Sequence, residues 1–124
     1  MYDIMFRHDI NLLDIRWHGL FSSEAVAAYA RDVKARFVLE GFAPGYLLRM
    51  DMSDSAVQPQ DAVAAFREHL GDGKFPRASR IAIVTSSAIA RMQVRREMTQ
   101  DYLRIFATAE ESLQWLLEPP SIIA

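Results

Sequence analysis

No cysteine occurs among the 124 residues, which excludes a disulfide framework, a thiolate metal site and a cysteine nucleophile. Glycine is scarce, with five residues at 19, 41, 45, 71 and 73, all in segments that read as turns. Neither Gly-x-x-x-x-Gly-Lys-Ser/Thr nor Gly-x-Gly-x-x-Gly is present, so no loop is read that would cradle a nucleotide phosphate. The three histidines, His8, His18 and His69, lack metal-ligand spacing, and no His-Glu-x-x-His segment occurs. No apolar run approaches the ~20 residues that cross a bilayer. Met1-Tyr2-Asp3-Ile4 has no basic stretch leading into an apolar one, so no signal peptide is read. A Ser-His-Asp set can be drawn on paper from Ser86, His18 and Asp51, but no Gly-x-Ser-x-Gly supports it. The expectation is a protein without catalytic residues, cofactor or metal, held in the cytoplasm.

What is present is ordinary globular material. Hydrophobic residues make up 51% and charged residues 24%, enough to bury a core in one domain spanning 1–124. The formal net charge is -2, so the whole molecule exerts no pull on nucleic acid. The charge is unevenly placed, however. Residues 74–104 carry a positive excess of five and residues 1–73 a negative excess of four.

Tyr2 to Arg7 alternates Tyr2, Ile4 and Phe6 on one face, and Leu12 to His18 alternates Leu13, Ile15 and Trp17. With the polar turn His8 to Asn11 between them, this predicts an opening antiparallel hairpin. Ser22 or Ser23 caps a helix whose apolar stripe is Val26, Tyr29, Ala30, Val33 and Phe37, closed by Gly41. Tyr46 to Met52 reads as a buried strand. Pro59 opens a second helix, with Ala62, Val63, Phe66 and Leu70 inward, which Gly71-Asp72-Gly73 stops. Arg80 to Thr85 is a buried strand, and Ser86-Ser87 caps a helix from Ala88 to Met98. Leu103 to Phe106 is a last short strand. Thr108 and Glu111 have capping-box spacing before Leu113, Trp115, Leu116 and Leu117, and Pro119-Pro120 ends that helix. The order ββαβαβαβα predicts an α/β fold: a mostly parallel five-stranded sheet with an antiparallel edge strand and four helices. Strand order stays open. The methionines, Met50, Met52, Met92 and Met98 among them, read as core filler.

In such a sheet, ligands gather beyond the carboxyl ends of the parallel strands. That rim would hold Asp51, Ser53, Asp54, Ser55 and Gln58 as a ligand or partner surface. Asp51 is the carboxylate of interest because it ends a buried strand; the competing role is to accept backbone hydrogen bonds in the loop that follows. Ser86 and Ser87 with Arg91 form a candidate anion site, unless the serines only cap their helix. Arg91, Arg95 and Arg96 form a basic face, for an acidic partner or for solvent. No aromatic-rich sequence accompanies them, which argues against nucleic acid. The apolar excess at Leu113, Leu116, Leu117, Ile122 and Ile123 suggests a homodimer through the C-terminal end.

Three segments resemble the SpoIIAA-like (STAS/SEC14-type) domains of small bacterial proteins. They are Asn11 to Trp17 with Gly19, the strand ending Met50-Asp51-Met52-Ser53, and Ile81 to Val84 leading into Ser87 to Arg96. The resemblance implies a fold shared by anti-sigma-factor antagonists and lipid-binding SEC14-type domains. In the antagonists a serine at the start of the second helix is the phosphorylation switch. Gln58 and Pro59 stand there in this chain, with Ser53 and Ser55 earlier in the loop. The resulting expectation is a non-enzymatic regulatory or protein-interaction module lacking the usual phospho-serine. The alternative is a binder of a small anionic ligand or lipid.

Overall fold

The computed structural model of the chain describes residues 2–55, 58–71 and 75–119. Among them the elements run β1 (Tyr2–Arg7), β2 (Leu12–His18), α1 (Ser23–Leu39), β3 (Leu47–Asp54), α2 (Gln60–Gly71), β4 (Arg80–Val84), α3 (Ala88–Glu97), β5 (Leu103–Phe106) and α4 (Ala109–Leu116). The strands form one sheet in the order β1-β2-β3-β4-β5, antiparallel between β1 and β2 and parallel thereafter. The predicted α/β class and element order are those observed.

The sequential strand order decides where the helices lie. Right-handed crossovers that all step to the next strand in one direction lay α1, α2 and α3 on one face. There Leu13, Ile15, Trp17, Leu48, Met50, Ile81 and Ile83 of the sheet pack against Val26, Tyr29, Val33, Phe37 and Phe66. Trp17 is the hub, with the rings of Tyr2, Phe21, Tyr29 and Phe66 at centroid distances of 4.3 to 5.1 Å. α4 follows the last strand and folds onto the opposite face, where Trp115 and Leu116 pack on Leu12 and Ala82. It covers only part of that face and leaves the β1–β2–β3 side carrying charged residues.

Local chemistry sets the boundaries. The hydroxyls of Ser22, Ser87 and Thr108 accept from the backbone N–H of Ala25, Ala90 and Glu111, as N-cap residues should. α1 ends in a Schellman motif: Gly41, at φ 70°, donates to Val38 O, and Phe42 donates to Phe37 O. The Phe37 and Phe42 rings meet at 5.8 Å across it. Asn11, at φ 54°, closes the opening hairpin in a conformation asparagine tolerates.

Four expectations shift. β3 begins at Leu47 and runs to Asp54, beyond Met52, because His18 of β2 still pairs with Asp54. Pro59 caps α2 rather than opening it, its carbonyl accepting from Ala62 and Val63. Met92 is exposed, so it is not core filler, whereas Met50 and Met98 are buried. At the C-terminal end Leu116 is buried in the chain's own second core and Leu113 packs against it; Leu117 is exposed. Ile122 and Ile123 lie outside the described residues, as do Asp72 and Gly73.

Candidate functional site

The two-residue period of β3 divides the predicted rim between the two faces of the sheet. Asp51 points to the α4 side and is buried. Its Oδ1 accepts from the backbone N–H of Ser53 at 3.0 Å and also from the Ser53 hydroxyl. Its Oδ2 lies 3.5 Å from Arg16 Nη2. Asp51 therefore closes a local turn, as aspartates at strand ends commonly do. Asp54 faces His18 Nδ1 at 3.4 Å, while His18 Nε2 meets Asp3 at 3.0 Å. The partners of Asp51 are thus Arg16 and Ser53, and no Ser86–His18–Asp51 set is assembled.

Beside them Arg49 grips Asp14 in a two-pronged pair, Nε to Oδ1 at 3.0 Å and Nη2 to Oδ2 at 2.6 Å. Its Nη1 reaches Ala109 O, at the start of α4, at 3.3 Å. The hydrogen bond to Asp14 raises the Arg49 pKa further above its ordinary value against the opposing effect of burial. Asp3, Met5, Asp14, Arg16, Arg49, Asp51 and Ala109 line an open cleft of about 490 Å³ on this face. Its two arginines are met by Asp14 and Asp51, and Asp3 by His18 outside the lining.

On the other face, Gln58 is 7% exposed. Its Oε1 accepts from Phe21 N at 3.1 Å and its Nε2 donates to Gly19 O at 3.0 Å, tying the β2–α1 connection to the start of α2. Gln93 of α3 holds the Gln58 backbone, with Nε2 donating to Gln58 O and Oε1 accepting from Gln58 N. Below this clasp is a cavity of about 40 Å³ lined by Met50, Met52, Val63, Ile83, Val94 and Met98, with Ser55, Thr85 and Gln93 as polar members. The buried Ser55 Oγ has no hydrogen-bond partner among the described residues.

At the third location, Ser86 is exposed and Ser87 Oγ accepts from Ala90 N at 3.2 Å. The capping role accounts for Ser87. Three arginines of the basic region make ring contacts rather than ion pairs among the described residues. Arg77 lies over the Tyr102 ring, Arg80 and Arg104 lie over Trp115, and Glu97 is held by Arg67 of α2. Arg91, Arg95 and Arg96 form no ion pair among the described residues. α3 buries none of its residues, and Ile89 and Met92 are each 61% exposed. Ile89, Met92 and Arg96 fall at i, i+3 and i+7, so they share one outward stripe, which Arg95 flanks.

Gln93, Ile89 and Met92 are the site members that sequence reasoning missed. The i, i+3, i+7 spacing was available as a signal for the stripe. Nothing in the sequence distinguishes Gln93 from a solvated glutamine. Among the described residues no helix is long and apolar enough to cross a membrane, and no three His, Asp or Glu side chains converge on a metal position.

No protein-family model matches the chain, and no curated protein matches it in sequence. Among solved structures it is similar to an anti-sigma factor antagonist from Mycobacterium paratuberculosis. The TM-score is 0.67 over 95% of this chain and 96% of that one, at 9% identity. The architecture is therefore the SpoIIAA-like, STAS-type α/β fold that the sequence resemblance implied. At that identity the likeness concerns the fold alone.

Proposed function

We propose that this domain is a non-enzymatic, cytoplasmic regulatory module of the anti-sigma-factor-antagonist kind, which binds a protein partner without a phospho-serine switch. The observation that carries this reading is Gln58. The sequence resemblance sets Gln58 where the antagonists hold a serine, and Gln58 is a buried carboxamide, hydrogen-bonded on both sides. A side chain that holds Gly19 and Phe21 together has a structural task and no hydroxyl to modify. Recognition then falls to the exposed outer stripe of α3, Ile89, Met92, Arg95 and Arg96, together with Ser53 and Asp54 at the exposed end of β3. Apolar side chains flanked by arginines that form no ion pair among the described residues suit a partner surface that is apolar at its centre and acidic at its rim.

The test begins with the tagged chain used as bait, its partner identified and both proteins purified for calorimetry. Ile89→Asp and Met92→Asp are expected to weaken binding by about tenfold or more each, with folding unchanged. Binding as tight as that of the native chain would overturn the assignment of this surface. Turnover of generic ester, phosphoester or nucleotide substrates that Asp51→Asn abolishes would overturn the non-enzymatic reading.

A second reading, a bound lipid, is favoured by the apolar lining of the cavity under Gln58. Its 40 Å³ is roughly a tenth of the space small-molecule sites offer, so a lipid would require α2 and α3 to part. Native mass spectrometry after gentle purification decides it: a bare chain mass, with no thermal shift from fatty acids, removes this reading. An anion at Ser87 and Arg91 is tested in the same way with inorganic phosphate.

A further inference from the structure

We propose that β1 is a self-complementary edge and that two copies of this chain join through it, antiparallel, into one continuous ten-stranded sheet. The first observation is the edge itself. β1 pairs only with β2, so the backbone groups on its outer side have no strand partner among the described residues. Native proteins blunt such edges with charge, proline or a bulge near the middle. Here the register of β1 is regular from Tyr2 to Arg7, and Met5, one of its two middle residues, is 60% exposed. The second observation is apolar surface next to it. Ile4, Met5 and Phe6 line a cleft with Arg36, Leu39 and Glu40 from the end of α1. Leu39 is 85% exposed and Met5 60%, so two large apolar side chains stand open side by side along this cleft.

The third observation identifies the occupant. The run Asp3-Ile4-Met5-Phe6-Arg7 is balanced about Met5. A two-fold axis at Met5 sets Asp3 opposite the partner's Arg7, Ile4 opposite the partner's Phe6, and Met5 opposite the partner's Met5. Directly opposed residues of an antiparallel pair share a face. Both ionic pairs thus fall on the α4 side with the methionines, and the Ile–Phe pairs fall on the α1 side, continuing the main core. Whichever backbone groups point outward, this register pairs them with their equivalents. An isologous contact needs such self-complementarity, which a foreign strand would match only by chance. Among the described residues of the single chain, Arg7 pairs with its near neighbour Asp9, at 3.1 Å, and Asp3 with His18. Both pairs lie at the surface, where such bonds exchange at little cost. The contact also lies apart from the α3 stripe, so a dimer would present two partner surfaces.

Sedimentation equilibrium measures the outcome. The native chain is expected at twice its 14.1 kDa mass. Met5→Lys places two ammonium groups on the axis and is expected to yield monomer; inside one chain the new lysine lies across from Asp14 and the fold survives. Asp3→Arg or Arg7→Asp alone sets like charges opposite each other and is expected to raise the dimer dissociation constant about tenfold. The double exchange, Asp3→Arg with Arg7→Asp, restores both ionic pairs and is expected to restore the dimer. A native chain that stays monomeric at its highest soluble concentration overturns the proposal. So does a dimer that Met5→Lys leaves intact, because its contact then lies elsewhere, for instance at the C-terminal end. A double exchange no tighter than either single one likewise overturns the register.

Discussion

Gln93 holds both backbone polar groups of Gln58, donating from Nε2 to the carbonyl at 2.7 Å and accepting the amide on Oε1 at 3.3 Å. Two side-chain amides thus connect three segments: Gln93 ties α3 to the start of α2, and Gln58 ties that start to Gly19 and Phe21. The arrangement does for the β3–α2 connection what a strand ladder does elsewhere, since buried backbone groups must find partners.

Gln93→Leu should therefore destabilise the fold by about 2 kcal/mol, because it strands a buried donor and acceptor while keeping the volume. Gln58→Ala should cost about as much by stranding Phe21 N and Gly19 O. Because the two act on one connection, the double variant should lose less than the sum. Urea unfolding of the four proteins measures this. Strict additivity would mean that the two clasps act independently.

The same clasp shows where sequence reading succeeds and where it stops. The caps were legible to within one residue, as Ser22 or Ser23, Ser86-Ser87 and Thr108, since capping depends on a side chain and the three residues after it. The α/β alternation was legible because each strand and helix carries its own period. Strand order was not, as no local pattern records which strand lies beside which. Asp51 was found, but its face and its partner Arg16 depend on cross-strand register. Gln58 was singled out only through the family resemblance, and its burial depends on Gly19 and Phe21, nearly forty residues earlier. Met92 was misplaced because composition assigns methionine to cores, whereas the Ile89–Met92–Arg96 spacing carried the opposite message.

The Arg49–Asp14 pair offers a second prediction. Their side chains are only 13% and 22% exposed, and Arg49 also anchors the first carbonyl of α4. Removing one partner leaves the other charge half-buried, so Arg49→Ala or Asp14→Ala should each cost about 2–3 kcal/mol. Replacing both with apolar residues, Arg49→Met with Asp14→Leu, should recover much of that loss. Thermal and denaturant unfolding read it directly. Full additivity of the two alanine variants would show that the pair contributes little.

Alkaline pH should unfold the protein through its buried phenols. Burial raises the pKa of Tyr29 and of Tyr46, and Tyr46 also donates to Pro76 O at 2.8 Å. The unfolded chain ionises near the ordinary value of 10.0 while the folded one stays protonated. Unfolding therefore releases protons there, and stability, complete below that value, falls as pH rises above it. Tyrosinate absorbance from these two residues should appear together with the loss of helical circular dichroism. Tyr46→Phe should flatten the pH dependence. Ionisation of all the tyrosines well before the fold opens would contradict the burial assigned to them.

The last prediction sets two methionines against each other. Met50 lies in the main core between β2 and β4 and is 2% exposed, whereas Met92 stands on the outer stripe of α3. Met50→Ala removes a packed side chain and leaves a space beside the existing cavity, so it should cost about 2–5 kcal/mol. Met92→Ala should stay within about 0.5 kcal/mol of the native chain, because alanine favours the helix and nothing buried is lost. If Met92 were instead part of an internal packing arrangement, its removal would destabilise the isolated domain and the stripe would lose its reading as a partner surface. Equilibrium unfolding of the two variants separates these cases before any partner is known. An unchanged stability for Met92→Ala, coupled with weakened partner binding, leaves recognition as the role of that side chain.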